Sequence, residues 1–179
     1  HMGYLLIVII IASEQGLAFT WQSTLFYLAA YIVANLSIFM VIALLQLQRN
    51  NSLYQEDISR NDLKGLFWRA PSYALLMILG LLSLAGIPLT MGFIGKFYIL
   101  TQATVAHAWW LIATLIIGSG IALGYYLPLI FNMFEDTSKA SDKTKVTLGR
   151  NIDNLLVYSF ILLGLALGIL PDMINQFIG

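Results

Sequence analysis

Residues 83–100 decide how this chain is read: Ser83-Leu84-Ala85-Gly86-Ile87-Pro88-Leu89-Thr90-Met91-Gly92-Phe93-Ile94-Gly95-Lys96-Phe97-Tyr98-Ile99-Leu100. An apolar run enters this stretch, a Gly-Ile-Pro-Leu-Thr break interrupts it, and a single lysine follows. Across the whole interval 70–106, Lys96 is the only charged side chain. As one straight helix that interval would run about 55 Å, against a hydrocarbon core of about 30 Å. Pro88 lacks a backbone donor and disfavours helix at Ile87, while Thr90 suits the cap of whatever follows. The expectation is two helices, 71–85 and 90–106, joined by a tight turn and each crossing a membrane. Gly92 and Gly95 make a further local break near Lys96 easy, so Gly86, Pro88, Gly92 and Gly95 are together read as the helix break.

Composition sets the class. Hydrophobic residues make up 59% of the 179 residues and charged ones 10%, and the mean hydropathy is +0.82. A soluble domain carries roughly 25% charged residues, whereas several runs here approach the roughly 17–25 apolar residues that span a bilayer. The chain therefore reads as an all-α polytopic membrane protein. Nine basic against nine acidic residues argue against a nucleic-acid partner. With no cysteine, disulfides, iron–sulfur clusters and thiolate metal sites are excluded, and His1 and His107 are too few to hold a pair of haems. Redox chemistry, if any accompanies this chain, belongs to another one.

The outward reading starts at residues 2–12, an apolar run shorter than a span. It has no basic segment before it and no cleavage site, so it reads not as a signal peptide but as the tail of a helix whose beginning is expected upstream. His1-Met2 reads equally as native sequence or as a cloning remnant. Ser13-Glu14-Gln15-Gly16 is a polar stop, and a long helix follows over 22–47 with Trp21 at its interface. Inside it Tyr27, Tyr31, Asn35 and Ser37 form a polar stripe, suited to interhelical hydrogen bonds or to a wetted proton path. Loop 48–69 mixes charges of both signs, and Leu63, Leu66, Phe67 and Trp68 suggest that its end lies along the membrane surface. The helix over 108–134 carries Gly120 and Gly124 at a small-xxx-small spacing, with Tyr125 and Tyr126 as packing groups or relay hydroxyls. Loop 135–151 and a last helix over 152–170 complete one partial and five complete transmembrane helices. On that count, alternation puts the two loops on opposite faces with four Lys/Arg each, and charge bias leaves the orientation undecided.

A lysine near the bilayer centre costs about 2.5–3.5 kcal/mol on insertion scales, so Lys96 requires a reason. One reading is a snorkelling side chain whose head reaches the interface. Snorkelling residues cluster at segment ends, however, and this one stands alone behind a proline and two glycines. The other reading uses desolvation, which disfavours the charged form and makes such a lysine able to take up and release a proton under a neighbouring charge. Broken helices are also where transporters place ion sites. A phosphate-binding loop is excluded, because Thr90 stands where its first glycine belongs and Phe97 where its Ser/Thr belongs.

The run Leu82–Tyr98 resembles the antiporter-like membrane subunits of respiratory complex I, the proton-pumping NADH:quinone oxidoreductase. Within that family it is most similar to the subunit N branch of the bacterial enzyme. Gly95-Lys96-Phe97-Tyr98 fits that branch, whereas subunit M and the antiporter relatives have glutamate at the lysine position, and subunit L follows the lysine with acidic residues. His1-Met2-Gly3-Tyr4-Leu5-Leu6, Gly65-Leu66-Phe67-Trp68 and His107-Ala108-Trp109-Trp110 carry the resemblance further. It implies fourteen helices built from two inverted five-helix repeats. This chain would cover the end of helix 9 through helix 14, that is, the second repeat plus a terminal helix, without the carboxylate and lysines of the first. Lys96 then matches a broken-helix lysine that receives a proton along a hydrophilic axis and releases it toward the periplasm. Ser119, His107, Tyr31 and Tyr125 are the supporting relay candidates. NADH, FMN, iron–sulfur clusters and quinone are implied for other subunits, with no cofactor or metal in this chain. The partners implied are the other membrane subunits, the lipid bilayer and translocated protons, in a multi-pass protein of the bacterial inner membrane. The resemblance also puts loop 135–151 in the cytoplasm and the C-terminus in the periplasm. A subunit of a multisubunit cation/proton antiporter and a passive scaffold of the membrane arm are the competing readings.

Overall fold

Runs this apolar must satisfy their backbone groups internally, and in a computed structural model of the chain they do so as helices. The structure describes residues 3–15, 17–49, 60–135 and 151–169, with no strand among them. The helices are α1 (Gly3–Gln15), α2 (Leu17–Arg49), α3 (Leu66–Arg69), α4 (Pro71–Ala85), α5 (Met91–Val105), α6 (Trp109–Phe134) and α7 (Asn151–Ile169), with a 3-10 turn at Arg60–Leu63. Glu56, Asp57, Lys139, Lys143 and Lys145 lie outside the described residues, as does the expected stop at Gly16. Two of the helices, over Thr20–Leu47 and Trp109–Phe134, are each long and apolar enough to cross a membrane alone. Helix ends differ from expectation where polar side chains are compatible with helix. The first helix continues through Ser13, whose hydroxyl donates back to the Ile10 carbonyl at 2.7 Å. The second starts earlier than residue 22, and within that first part Thr24 donates to the Thr20 carbonyl at 2.7 Å. Pro128 lies inside α6, which continues through it.

α2, with 33 residues and a length of about 50 Å, is the spine. Its partners appear in reverse order along it. Val41 and Leu44 share an apolar cluster with Tyr73, Leu76 and Met77 of α4. Gly80 lies against Ala34 and Ile38. Ala30 and Ala34 pack with Leu84 and Met91, on either side of the break. Gly95 lies against Tyr27, and Gln102 donates to the Ser23 hydroxyl at 2.6 Å. α4 and α5 are therefore laid end to end, antiparallel to α2, as one traversal. The expected pair joined by a tight turn is corrected, since α4 and α5 run in the same direction, and the count of one partial and five complete spans, which rested on a reversal there, does not follow. The length limit misled because α2 itself is about as long as α4, the break and α5 together. A break is required at 86–90, but a reversal of direction is not.

The correction moves the loops. Gly65 donates its N–H to the Asn132 carbonyl at 3.1 Å, and the Trp68 indole donates to the Phe134 carbonyl at 3.2 Å. Lys64 pairs with Glu135 at 3.3 Å, and the Phe67 and Phe134 rings lie 4.6 Å apart. The end of loop 48–69 and the start of loop 135–151 thus sit together, on one face rather than on opposite ones. Val157 and Ile161 of α7 join the same cluster as Tyr73 and Met133, so α7 enters from that face too. Every lysine and arginine other than Lys96 belongs to these two loop regions. The chain has no cysteine, which makes the arrangement easy to test. Single cysteines at Lys64 and Lys143 should react with an impermeant maleimide from the same side of sealed vesicles, and one at His107 from the other. Labelling of Lys64→Cys and Lys143→Cys from opposite sides would restore the two-crossing reading.

Candidate functional site

The C-terminal end of α4 determines where Lys96 sits. A helix leaves its last four carbonyls without intrahelical partners. Here the N–H groups of Gly86 and Ile87 return to the Leu82 and Ser83 carbonyls at 2.9–3.1 Å, which leaves those of Leu84 and Ala85. The Lys96 ammonium takes both, donating to each at 2.9 Å, and its third bond goes to the Ser119 hydroxyl of α6 at 3.2 Å. The Tyr4 ring of α1 lies 5.2 Å from the same nitrogen, within cation–π range. An ammonium has three donors and no acceptor, so three acceptors and a ring face satisfy it without water. It also sits at the negative end of a helix dipole. Lys96 is 5% exposed, which rules out the snorkelling reading among these residues.

Two glycines make the arrangement possible. Gly86 is left-handed at φ 81, ψ 42, a conformation that costs an L-residue about 1–2 kcal/mol. The turn therefore favours glycine, and a Cβ there would meet the Lys96 Nζ and Cδ at 2.9 Å, so the lysine end would have to shift. At Gly92 a Cβ would overlap the Ser83 carbonyl oxygen, while the Gly92 N–H donates to the Ser83 hydroxyl at 3.1 Å. The break itself spans Gly86–Thr90. Thr90 caps α5 by accepting from the Phe93 N–H at 3.3 Å, and Leu89 adopts φ 74 at the exposed corner. α5 then runs unbroken through Lys96. The expected further break at Gly92 and Gly95 is thereby corrected: both belong to the helix, and their missing side chains serve close approach to α4 and α2.

Of the expected relay residues, the structure brings Ser119 to Lys96, sets Tyr31 beside the break, and leaves His107 and Tyr125 at the exterior. Tyr31 is half-buried beside the break, packed against Ala30, Ala34, Leu84 and Met91, with its carbonyl accepting from the Asn35 amide at 2.7 Å. His107, at φ 52, occupies the exposed turn between α5 and α6. Tyr125 is 72% exposed on the outer face of α6. Tyr4 was missed by the sequence reading. It lies in the short apolar run at the start of the chain, 115 positions from Ser119, and its hydroxyl is 3.4 Å from the Ser119 oxygen. Among the described residues no group of three or more His, Cys, Asp or Glu is placed to hold a metal. Gly86→Ala should destabilise the fold by about 1–3 kcal/mol through backbone strain, and displace the Lys96 ammonium from its carbonyls. Gly120→Ala, where nothing lies within 4 Å, should be near neutral. Thermal unfolding of the two variants in detergent checks the difference, and equal melting temperatures would contradict the packing at the break.

Comparison with known proteins gives the family. The chain is 37% identical over 177 residues to NADH-quinone oxidoreductase subunit N of Acinetobacter baumannii, an alignment covering 98% of this chain and 34% of that protein. It is 43% identical over 135 residues to the subunit N of Methylococcus capsulatus, covering 75% of this chain and 26% of the relative. With the subunit N of Ectopseudomonas mendocina it shares 32% over 179 residues, 99% of this chain and 35% of the other. The chain thus spans about a third of the length of these relatives or less. Among solved structures it superimposes on a chain of respiratory complex I from Thermus thermophilus with bound aureothin. That match has a TM-score of 0.70 and 27% identity, and covers 93% of this chain and 36% of that one. The family model described as NADH:quinone oxidoreductase/Mrp antiporter, TM, matches residues 1–122. A match over that much of the chain, with Lys96 and its break inside it, makes this protein a member of the NADH:quinone oxidoreductase/Mrp antiporter membrane family.

Proposed function

We propose that the chain is part of a proton-translocating membrane subunit of NADH:quinone oxidoreductase, of the subunit N type, with Lys96 as a protonatable relay. The observation that carries this reading is the ammonium on the open carbonyls of a broken helix. Protonated, the side chain has three donors for three acceptors. Deprotonated, it keeps two for the carbonyls and gains a lone pair, so the Ser119 bond must reverse or break, and the attraction of the helix dipole is lost. Its charge state and the packing of α4, α5 and α6 are thereby coupled. A charge moved in a neighbouring subunit could drive this equilibrium with no redox chemistry in the chain itself. With α4 and α5 as one crossing, the family's fourteen-helix scheme is met by part of helix 10 and helices 11–14, rather than from helix 9.

The membrane of a bacterial cell is the natural setting. The positive-inside rule now favours one orientation, because both basic loop regions share a face. That face would be cytoplasmic and the turn at His107 periplasmic. Partners would be the other membrane subunits of the complex, with NADH, FMN, iron–sulfur clusters and quinone bound elsewhere.

The family description also names Mrp antiporters, so a cation/proton antiporter subunit is the second reading. A pump of the first kind needs no sodium. In the intact complex, Lys96→Ala should leave assembly nearly normal and cut proton pumping in vesicles several-fold. Lys96→Glu, which keeps a titratable group, should be milder. Full pumping by Lys96→Ala would remove the relay role and favour a scaffold, and a sodium requirement for transport would favour the antiporter.

A further inference from the structure

A second set of polar groups gathers at the break, apart from those that hold Lys96. A cavity of about 20 Å³ lies there, walled by Ser37 of α2, Ser83 of α4, Leu89 and Thr90 of the corner and Gly164 of α7. Neither Lys96 nor Ser119 nor Tyr4 lines it. α7 closes on the corner, since a Cβ at Gly168 would stand 2.7 Å from the Leu89 carbonyl oxygen. Three of the wall residues carry hydroxyls, and their bonding is incomplete in complementary ways. Ser83, 3% exposed, accepts from the Gly92 N–H at 3.1 Å, and its own proton meets no acceptor among the described residues. Ser37 is equally buried and donates to the Val33 carbonyl at 2.8 Å, but its oxygen receives no hydrogen bond among the described residues. Thr90 donates to the Ile87 carbonyl at 2.7 Å and accepts from the Phe93 N–H at 3.3 Å, which leaves one lone pair. One donor and two acceptors are left over.

We propose that this cavity binds one ordered water molecule, which accepts from Ser83 and donates to Ser37 and Thr90. Three hydrogen bonds are the usual complement of a buried water, and a single one needs a cavity of roughly 10–15 Å³. The space therefore takes one water and nothing larger. No carboxylate lines it, so a metal cation lacks the charge that would hold it there. The water ties the end of α4 and the cap of α5 to α2, across the break. It also turns the Ser83 hydroxyl so that a lone pair faces the Gly92 N–H, a direct bond between the two half-helices. A broken membrane helix is tolerated where hydroxyls and ordered water replace its lost backbone bonds. The site stands on the geometry of the break and holds whether or not Lys96 carries a proton.

The test is a map of the intact complex at a resolution that shows ordered water elsewhere in its membrane part. One peak within about 2.5–3.0 Å of all three hydroxyls is expected. An empty cavity in such a map overturns the proposal, as does a peak with the shorter contacts and fuller oxygen shell of a cation. Ser37→Val and Ser37→Thr supply a second measurement, because the two side chains have nearly the same shape and only threonine keeps the hydroxyl. With water bound, the valine complex should lose its heat stability several degrees below the threonine one. In a dry cavity valine fills space without burying a hydroxyl, and it should match or exceed threonine; that result also overturns the site. Should either variant fail to assemble, the map of the unaltered complex decides alone.

Discussion

Two carbonyl oxygens at the end of α4 and the ammonium of Lys96 hold the centre of this protein together. A helix that stops inside an apolar interior exposes acceptors that water cannot reach, and each one left unpaired costs about 1–3 kcal/mol. A buried ammonium has the opposite need. Placed eleven and twelve positions apart in sequence, the two deficits cancel, and neither is tolerable without the other. The glycine at position 86 supplies the left-handed turn that leaves those two carbonyls open, and its bare Cα gives the lysine end room beside them.

The rest of the architecture keeps that pairing in place. One apolar cluster binds α4, the second half of α2 and the starts of α7 and the loop elements. Another binds α1, α5, the first half of α2 and the start of α6. Between them lies a smaller cluster built around Ala30, Ala34, Leu84 and Met91. The hydroxyls of Ser37, Ser83, Thr90 and Ser119 and the rings of Tyr4, Tyr27 and Tyr31 all belong to the middle of the molecule. Much of the buried polarity lies at the depth at which the helix is broken, as an irregular backbone inside a membrane requires, with Thr20 and the Gln102–Ser23 pair further along α2.

Much of this was legible in the sequence. The apolar runs marked the helices, Gly86 and Pro88 marked the break, and the isolation of Lys96 marked the candidate site. The direction of the chain after the break was not legible. A hairpin and an end-to-end pair have the same composition and the same local signals, and only the register against α2 distinguishes them. Length argued for the hairpin, and the long α2 shows why length was a poor guide. Tyr4 was hidden for a different reason. Its value lies in contacts with Ser119 and Lys96, far away in the chain, while its own neighbourhood is a plain apolar run with no local pattern to single it out. Ser83 likewise resembles any small helical residue until the close approach of Gly92 gives its hydroxyl a donor.

α4 and α5 lie in line, each embedded in its own apolar cluster and joined by a short corner. Such a rod is stiff at both ends and compliant at one point. A small tilt of one half against the other leaves both clusters packed, yet changes directly how far the lysine nitrogen stands from its two carbonyls. Force applied to either half would therefore be concentrated at the corner, like strain at the hinge of a splint. The same corner would return the effect, because a change of charge there alters the angle at which the two halves rest.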